Sequence, residues 1–349
     1  MEKKYNVCYD ILTILACLMV VFFHTNGIVY TYSDTISWKI SVVERCIVYS
    51  AIPIFFMLSG AKLMEYRNRY STKEYAVKRL QRIGIPFLFW NLFYLIYQRV
   101  FSPDASFHSV KEFISMFLNS EFQGRYWFFF PLFAVYAAIP VISLVLQAKD
   151  HRKYLWFAVG ATFMLNWTLK PLLSILGIKY NSYLIMPISA GYMIYVLFGY
   201  LISTEQWVHK KRIILYLLAA ASGVFAILYT ISASAKSGAT VRYLFSYDYF
   251  PSALTGAAIF VFVKHLFDKP SVAQVFHCRQ KLTNLIRTVS GCCMGVWLTH
   301  SFAITVATAV LDLSTSSYLF RFVLPLLLFA ACVVGVWLVK KIPVLKHIV

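Results

Sequence analysis

The stretch VCYDILTILACLMVVFFHTNGIV, residues 7–29, decides the fold class. It is apolar on every helical face and long enough to cross about 30 Å of hydrocarbon, which takes about 20 residues. It also exceeds a signal-peptide core, so it reads as a retained first helix. Nine further stretches read the same way: 46–64, 83–101, 126–147, 154–175, 183–203, 213–234, 249–267, 289–311 and 320–339. Across the 349 residues 60% are apolar and only 13% charged, about half the charged share of a soluble domain. The expectation is an all-α, polytopic membrane protein: a bundle of about ten transmembrane helices forming one integral-membrane domain over 1–349. Seven scattered cysteines suit neither a disulfide framework nor a metal site, and no H-x-x-x-H, H-E-x-x-H, C-x-x-C, G-x-S-x-G or P-loop pattern occurs.

Charge sets the orientation. When alternate loops are grouped, 23 of the 33 Lys and Arg fall on one side, the side that holds both termini. Positive-inside bias makes that side cytoplasmic, and it explains most of the +19 net charge without nucleic acid. The densest basic run is EYRNRYSTKEYAVKRLQRIG, 65–84, with a helix start at Ser71 or Thr72 followed by Glu74. Lys78 and Arg82 share a helical face there, with Arg79 beside them. Such a cluster is either a topology anchor or a holder of donor phosphates by charge-assisted bonds.

An ionisable group inside a span is costly, so each is a functional candidate. His24 lies roughly 25 Å along the first helix and His300 roughly 16 Å into the ninth. An imidazole accepts and returns a proton near neutral pH, as acyl transfer to a hydroxyl requires. The alternative is a pair of interhelical hydrogen bonds. His108, His151, His209, His277 and His347 fall in loops or tails, and His265 sits near an interface. Ser59, Trp127 and His300 are candidates to polarise a carbonyl, and Asp10 suits the first-helix dipole. Tyr126, Trp127 and Tyr32 read either as sugar-stacking rings at the outer mouth or as an interfacial aromatic belt.

Five segments, in order, carry a resemblance: ILACLMVVFFHTNG ending at His24 with Asp10 ahead of it, AIPIFFMLSGAKLM (51–64), KRLQRIGIPFLFW (78–90), YWFFFPLFAVYAAIPVI (126–142) and GVWLTHSF (295–302). Together they resemble the membrane-bound acyltransferase 3 family, most closely its members that O-acetylate enterobacterial common antigen. The resemblance implies an O-acetyltransferase of the bacterial inner membrane. Its donor would be cytoplasmic acetyl-CoA, and its acceptor a glycan or lipid-linked saccharide on the far side. It implies catalytic His24 and His300, donor-binding Lys78, Arg79 and Arg82, substrate-binding Ser59, Tyr126 and Trp127, and no metal. Two positions depart from the pattern: Thr13 stands where the family usually carries Arg eleven residues before the histidine, and the Arg usual shortly before the second-helix proline is replaced in the Tyr49 region. Trp297 and Cys293 stand where Tyr and Ser are usual. Two other classes remain: a flippase or transporter of a lipid-linked glycan, with His24 and His300 as proton relay, and a non-catalytic partner of a glycan synthase. Against transport, no Asp or Glu lies deep in a span and no inverted repeat is visible.

Overall fold

α1 (Val7–Thr25) opens on Asn6, whose side chain accepts from the Cys8 N–H at 3.0 Å, and closes at Asn26. The computed structural model describes residues 6–101, 109–181, 183–311 and 313–349, apart from the side chains of Ala273 and His277. His108, the His277 side chain, Lys3 and Lys4, all placed in loops or tails by the sequence, lie outside the described residues. The described residues form helices and connections with no strand.

α2 (Ile36–Val48) and α3 (Ala51–Leu63) run back beside α1, joined through a helical turn at Tyr49 and Ser50. The segment expected at 46–64 therefore starts ten residues earlier, and 36–45 is helix where a loop was expected. α4 (Thr72–Arg79), a π-helical turn (Leu80–Gly84) and α5 (Ile85–Phe101) follow as one continuous helical path. Next come α6 (Val110–Leu118), α7 (Phe129–Ile142), α8 (His151–Thr162) and α9 (Lys170–Ile175), the last two bridged by a second π-helical stretch (Phe163–Leu169). The chain ends with α10 (Met193–Thr204), α11 (His209–Ser237), α12 (Phe250–Phe267), α13 (Pro270–Cys278), α14 (Gln280–Val310) and α15 (Leu324–Val339).

Among the described residues, seven helical segments are long and apolar enough to span a membrane: Val7–Thr25, Ile36–Asn68, Gly124–Gln147, His209–Ser237, Phe250–Phe267, Gln280–Val310 and Leu319–Val339. The other three expected spans fall on shorter or interrupted helix. α5 has 17 residues, 154–175 contains the π stretch and Lys170, and the third shrinks to α10 because Pro187 and Gly191 (φ +56) break the chain before it. Leu217, Leu228, Leu326 and Leu327 point outward from their helices, as lipid-facing side chains do.

The interior is built on close backbone approach. A Cβ on Gly60 of α3 would collide with the Val196 carbonyl of α10, and one on Gly199 would collide with the Met57 carbonyl of α3. Two glycines thus set the α3/α10 separation, since dispersion between closely packed helices replaces the hydrophobic effect inside a bilayer. α14 crosses beside α1, where the Cys17 thiol reaches Cys293 O at 3.4 Å.

Candidate functional site

Two chambers meet inside the bundle. The larger, about 690 Å³, opens at the end where α1 begins. Lys62, Arg69, Lys78, Arg79, Arg82 and Arg287 supply its cations and Asp10 its only carboxylate among the described residues; Thr13, Ser59 and Trp297 are among its other polar lining residues. The three sequence-expected cations of 78–82 all face it.

Local structure explains how they do so. Ser71 and Glu74 form a reciprocal capping box, with Glu74 N–H on Ser71 Oγ at 3.2 Å and Ser71 N–H on Glu74 Oε2 at 2.9 Å, and this starts α4 where the sequence placed a helix start. Pro140 inside α7 has no N–H, which leaves the Tyr136 carbonyl without its helical donor. Tyr75 Oη takes that place, donating to Tyr136 O at 3.0 Å, and so pins α4 against α7. Arg79 and Arg82 at i and i+3, like Lys78 and Arg82 at i and i+4, are neighbours on a helix surface, and with the i→i+5 turn at Leu80–Gly84 all three line one cavity. Lys78 Nζ lies 4.1 Å from the Tyr70 ring centre, and the Arg79 guanidinium sits between the rings of Tyr75 (5.9 Å) and Tyr136 (5.7 Å). Stacking holds the cations while leaving donor edges for an oxygen-rich ligand; Arg79 Nε is buried with no partner among the described residues.

The smaller chamber holds only about 20 Å³, close to the space of one water. His24, Phe23, Arg125, Trp127, Tyr247 and Trp297 line it. Trp297 belongs to both chambers and, with Phe55 and Phe128 packed on it at 5.4 and 4.6 Å, forms the partition between them. The His24 and His300 rings lie 5.2 Å apart, so the structure brings the two intramembrane histidines together. His300 Nδ1 is 2.6 Å from Trp297 O, which can only accept, so Nδ1 carries the hydrogen and Nε2 keeps the lone pair. That Nε2, the Trp297 indole N–H and the Ser301 hydroxyl are buried without a partner among the described residues. Thr25 and Asn26, beside His24, are helix-end ties: Thr25 Oγ1 donates to Phe22 O at 3.1 Å and Asn26 Nδ2 to Ser41 O at 2.9 Å.

Other expected site residues divide. Trp127 faces the small chamber, its ring stacked on Tyr247 at 5.5 Å. Ser59 faces the large cavity, its hydroxyl donating to Phe55 O at 3.1 Å. Tyr126 is not at a mouth: it is 0% exposed, packed by Tyr94 and Phe129, and its hydroxyl donates to Leu298 O at 2.7 Å. It fastens α14 to the start of α7. Tyr32 packs edge-on against Trp38 at 5.0 Å.

Three residues that sequence reasoning passed over enter the site. Lys62 Nζ donates to the Thr13 hydroxyl at 3.2 Å, putting a cation at the position where the family pattern has Arg. Arg45, eight residues before Pro53, is buried beside Phe23 and donates to Asn26 O at 2.7 Å. It stands close to the helix-breaking Pro53 where the family's second Arg was sought. Arg125 lines the chamber with His24. The signal for Arg45 was present: a charged pair, Glu44-Arg45, within an otherwise apolar run.

No curated protein and no solved structure matches the chain. The acyltransferase domain of the acyltransferase 3 family matches it over residues 6–340, nearly end to end. With seven membrane-length helices and a match over nearly the whole chain, this multi-pass membrane protein belongs to the acyltransferase 3 family.

Proposed function

We propose that the chain is an acyl-CoA-dependent O-acetyltransferase of the bacterial inner membrane, carrying acetyl from the cytoplasm to a hydroxyl of a glycan or lipid-linked saccharide on the far side. The observation that carries this reading is the shared wall at Trp297: a cavity lined by six cations and a small chamber lined by His24 touch at that one residue. On this reading there are ten crossings with both termini cytoplasmic, and the large cavity faces the cytoplasm. The branch of the family most resembled, which modifies enterobacterial common antigen, makes a surface glycan the acceptor class.

The donor's phosphates lie against Lys78, Arg79 and Arg82, joined by Lys62 and Arg69, and its pantetheine arm runs past Ser59 toward Trp297. A cavity of about 690 Å³ falls within the ~300–1,000 Å³ of small-molecule sites. The thioester carbonyl then sits at the partition, where the Trp297 N–H is free to stabilise the oxyanion. The acceptor hydroxyl gives its proton to His24 as its oxygen bonds to the carbonyl carbon. The C–S bond breaks, and the thiolate takes up a proton on leaving as CoA. His300 Nε2, one ring away, accepts the proton onward from His24. The alternative order, with His24 acylated first, uses the same groups.

The test is transfer of acetyl-labelled acetyl-CoA to lipid-linked glycan by purified protein in detergent, for wild type and His24→Ala. Label reaching glycan with wild type and not with His24→Ala is expected. Equal transfer by both removes His24 from catalysis. No transfer to any acceptor returns the protein to transport or scaffolding.

A further inference from the structure

On the His24 side, three arginines gather around one ring, Tyr30. Arg45 lies with its guanidinium 3.9 Å from the centre of the Phe23 ring and 4.9 Å from that of Tyr30. Arg242, exposed, approaches the same Tyr30 ring at 5.2 Å. Arg125 lines the chamber next to His24. None of the three forms an ion pair among the described residues. Three carboxylates near these rings have other cations: Asp34 pairs with Lys39 at 2.7 Å and Glu44 Oε2 with Arg321 at 3.2 Å, while exposed Asp248 is near Lys170. Glu44 Oε1 is unpartnered, but Glu44 is already neutralised by Arg321.

Arg45 is 1% exposed, and while Nη2 donates to Asn26 O, its Nε and Nη1 have no partner among the described residues. A buried guanidinium edge with two outstanding donors is costly to leave unmet. Ring stacking fixes its plane and keeps the edge available, the geometry that suits a planar or tetrahedral oxyanion.

We propose that the acceptor is anionic: the arginines around Tyr30, beside the His24 chamber, recognise a carboxylate or phosphate borne by the glycan through Arg45, Arg125 and Arg242, while the chamber itself takes only the acceptor hydroxyl. This rests on reading that chamber as the acceptor's side. Exposed Arg242 meets the anion first, Tyr30 links it to Arg45, and Arg125 sets the neighbouring hydroxyl against His24. A neutral glycan leaves three positive charges unanswered next to the base and gains nothing from them. Two sources share this chemistry, a uronate in the sugar chain and the phosphate of a lipid linker, and the probes separate them.

The experiment is isothermal titration of the full-length protein in neutral detergent at low salt with tetragalacturonic acid, maltotetraose or inorganic pyrophosphate. Arg79→Gln is titrated alongside wild type, because the donor cavity also attracts anions. The decisive quantity is anion binding that survives Arg79→Gln. Expected is a surviving component weakened about tenfold or more by Arg125→Gln or Arg242→Gln, with maltotetraose at least tenfold weaker than tetragalacturonic acid. If pyrophosphate alone shows this behaviour, the anion is the linker phosphate; if tetragalacturonic acid does, it is a sugar carboxylate. The inference is overturned if no component survives Arg79→Gln, if the surviving one ignores both arginine variants, or if maltotetraose binds as well as its acidic counterpart. No acyl transfer is measured, so this result stands apart from the fate of the labelling assay.

Discussion

Lys62 on α3 hydrogen-bonds the Thr13 hydroxyl on α1 at 3.2 Å, across 49 residues of chain. The positive charge absent from the first helix is thus delivered from the second crossing to the same wall of the large cavity.

This exchange predicts a rescue. Lys62→Met should weaken CoA binding about tenfold, the size of one lost charge-assisted contact. Thr13→Arg added to Lys62→Met should restore most of it, while Thr13→Arg alone should crowd two cations together and help little. CoA titration of the three variants checks this; failure of the double variant to recover separates Lys62 from the position it reaches.

Trp297→Phe keeps the ring that walls the two chambers and removes the unpartnered N–H. CoA affinity should be unchanged and kcat should fall by about 10²–10³, as when one oxyanion donor is deleted. An unchanged kcat would leave Trp297 as a wall alone. His300→Gln should also lower kcat with donor binding intact.

Gly199→Ala forces a Cβ into the Met57 backbone, so α3 and α10 must separate; a cost of about 1–3 kcal/mol or more is expected. Gly160→Ala, whose new methyl meets nothing within 4 Å near the C-terminal end of α8, should be neutral or gain up to about 1 kcal/mol. Thermal unfolding in detergent should therefore move in opposite directions, or fall only for Gly199→Ala.

Tyr126→Phe removes a buried hydrogen bond to Leu298 O and should cost about 1 kcal/mol of stability without altering the KM for acceptor. A raised acceptor KM at unchanged stability would return Tyr126 to the sugar.

The sequence made some features plain and hid others for physical reasons. All-round apolarity over 7–29 and 289–311 needs no partner to be read, and the Ser71 to Glu74 cap is a local four-residue event. The π turn at Leu80–Gly84 has no such local signature, whereas the shared face of Lys78 and Arg82, with Arg79 beside it, is legible in the spacing. Lys62 reads as an interfacial charge because its partner lies on another helix. Arg45 lies between the apolar stretches 7–29 and 46–64, where hydropathy alone marks a connection, although Thr35 caps α2 by accepting from the Trp38 N–H at 3.2 Å. In Tyr126 and Trp127, adjacent aromatics look alike along the chain; their helical phase sends one into packing and the other to the chamber.

A partition one indole thick gives the molecule a property no open pore has. On the proposed function, with room for about one water beyond it, only a group as small as acetyl needs to pass that point, while the bulky carrier stays on its own side.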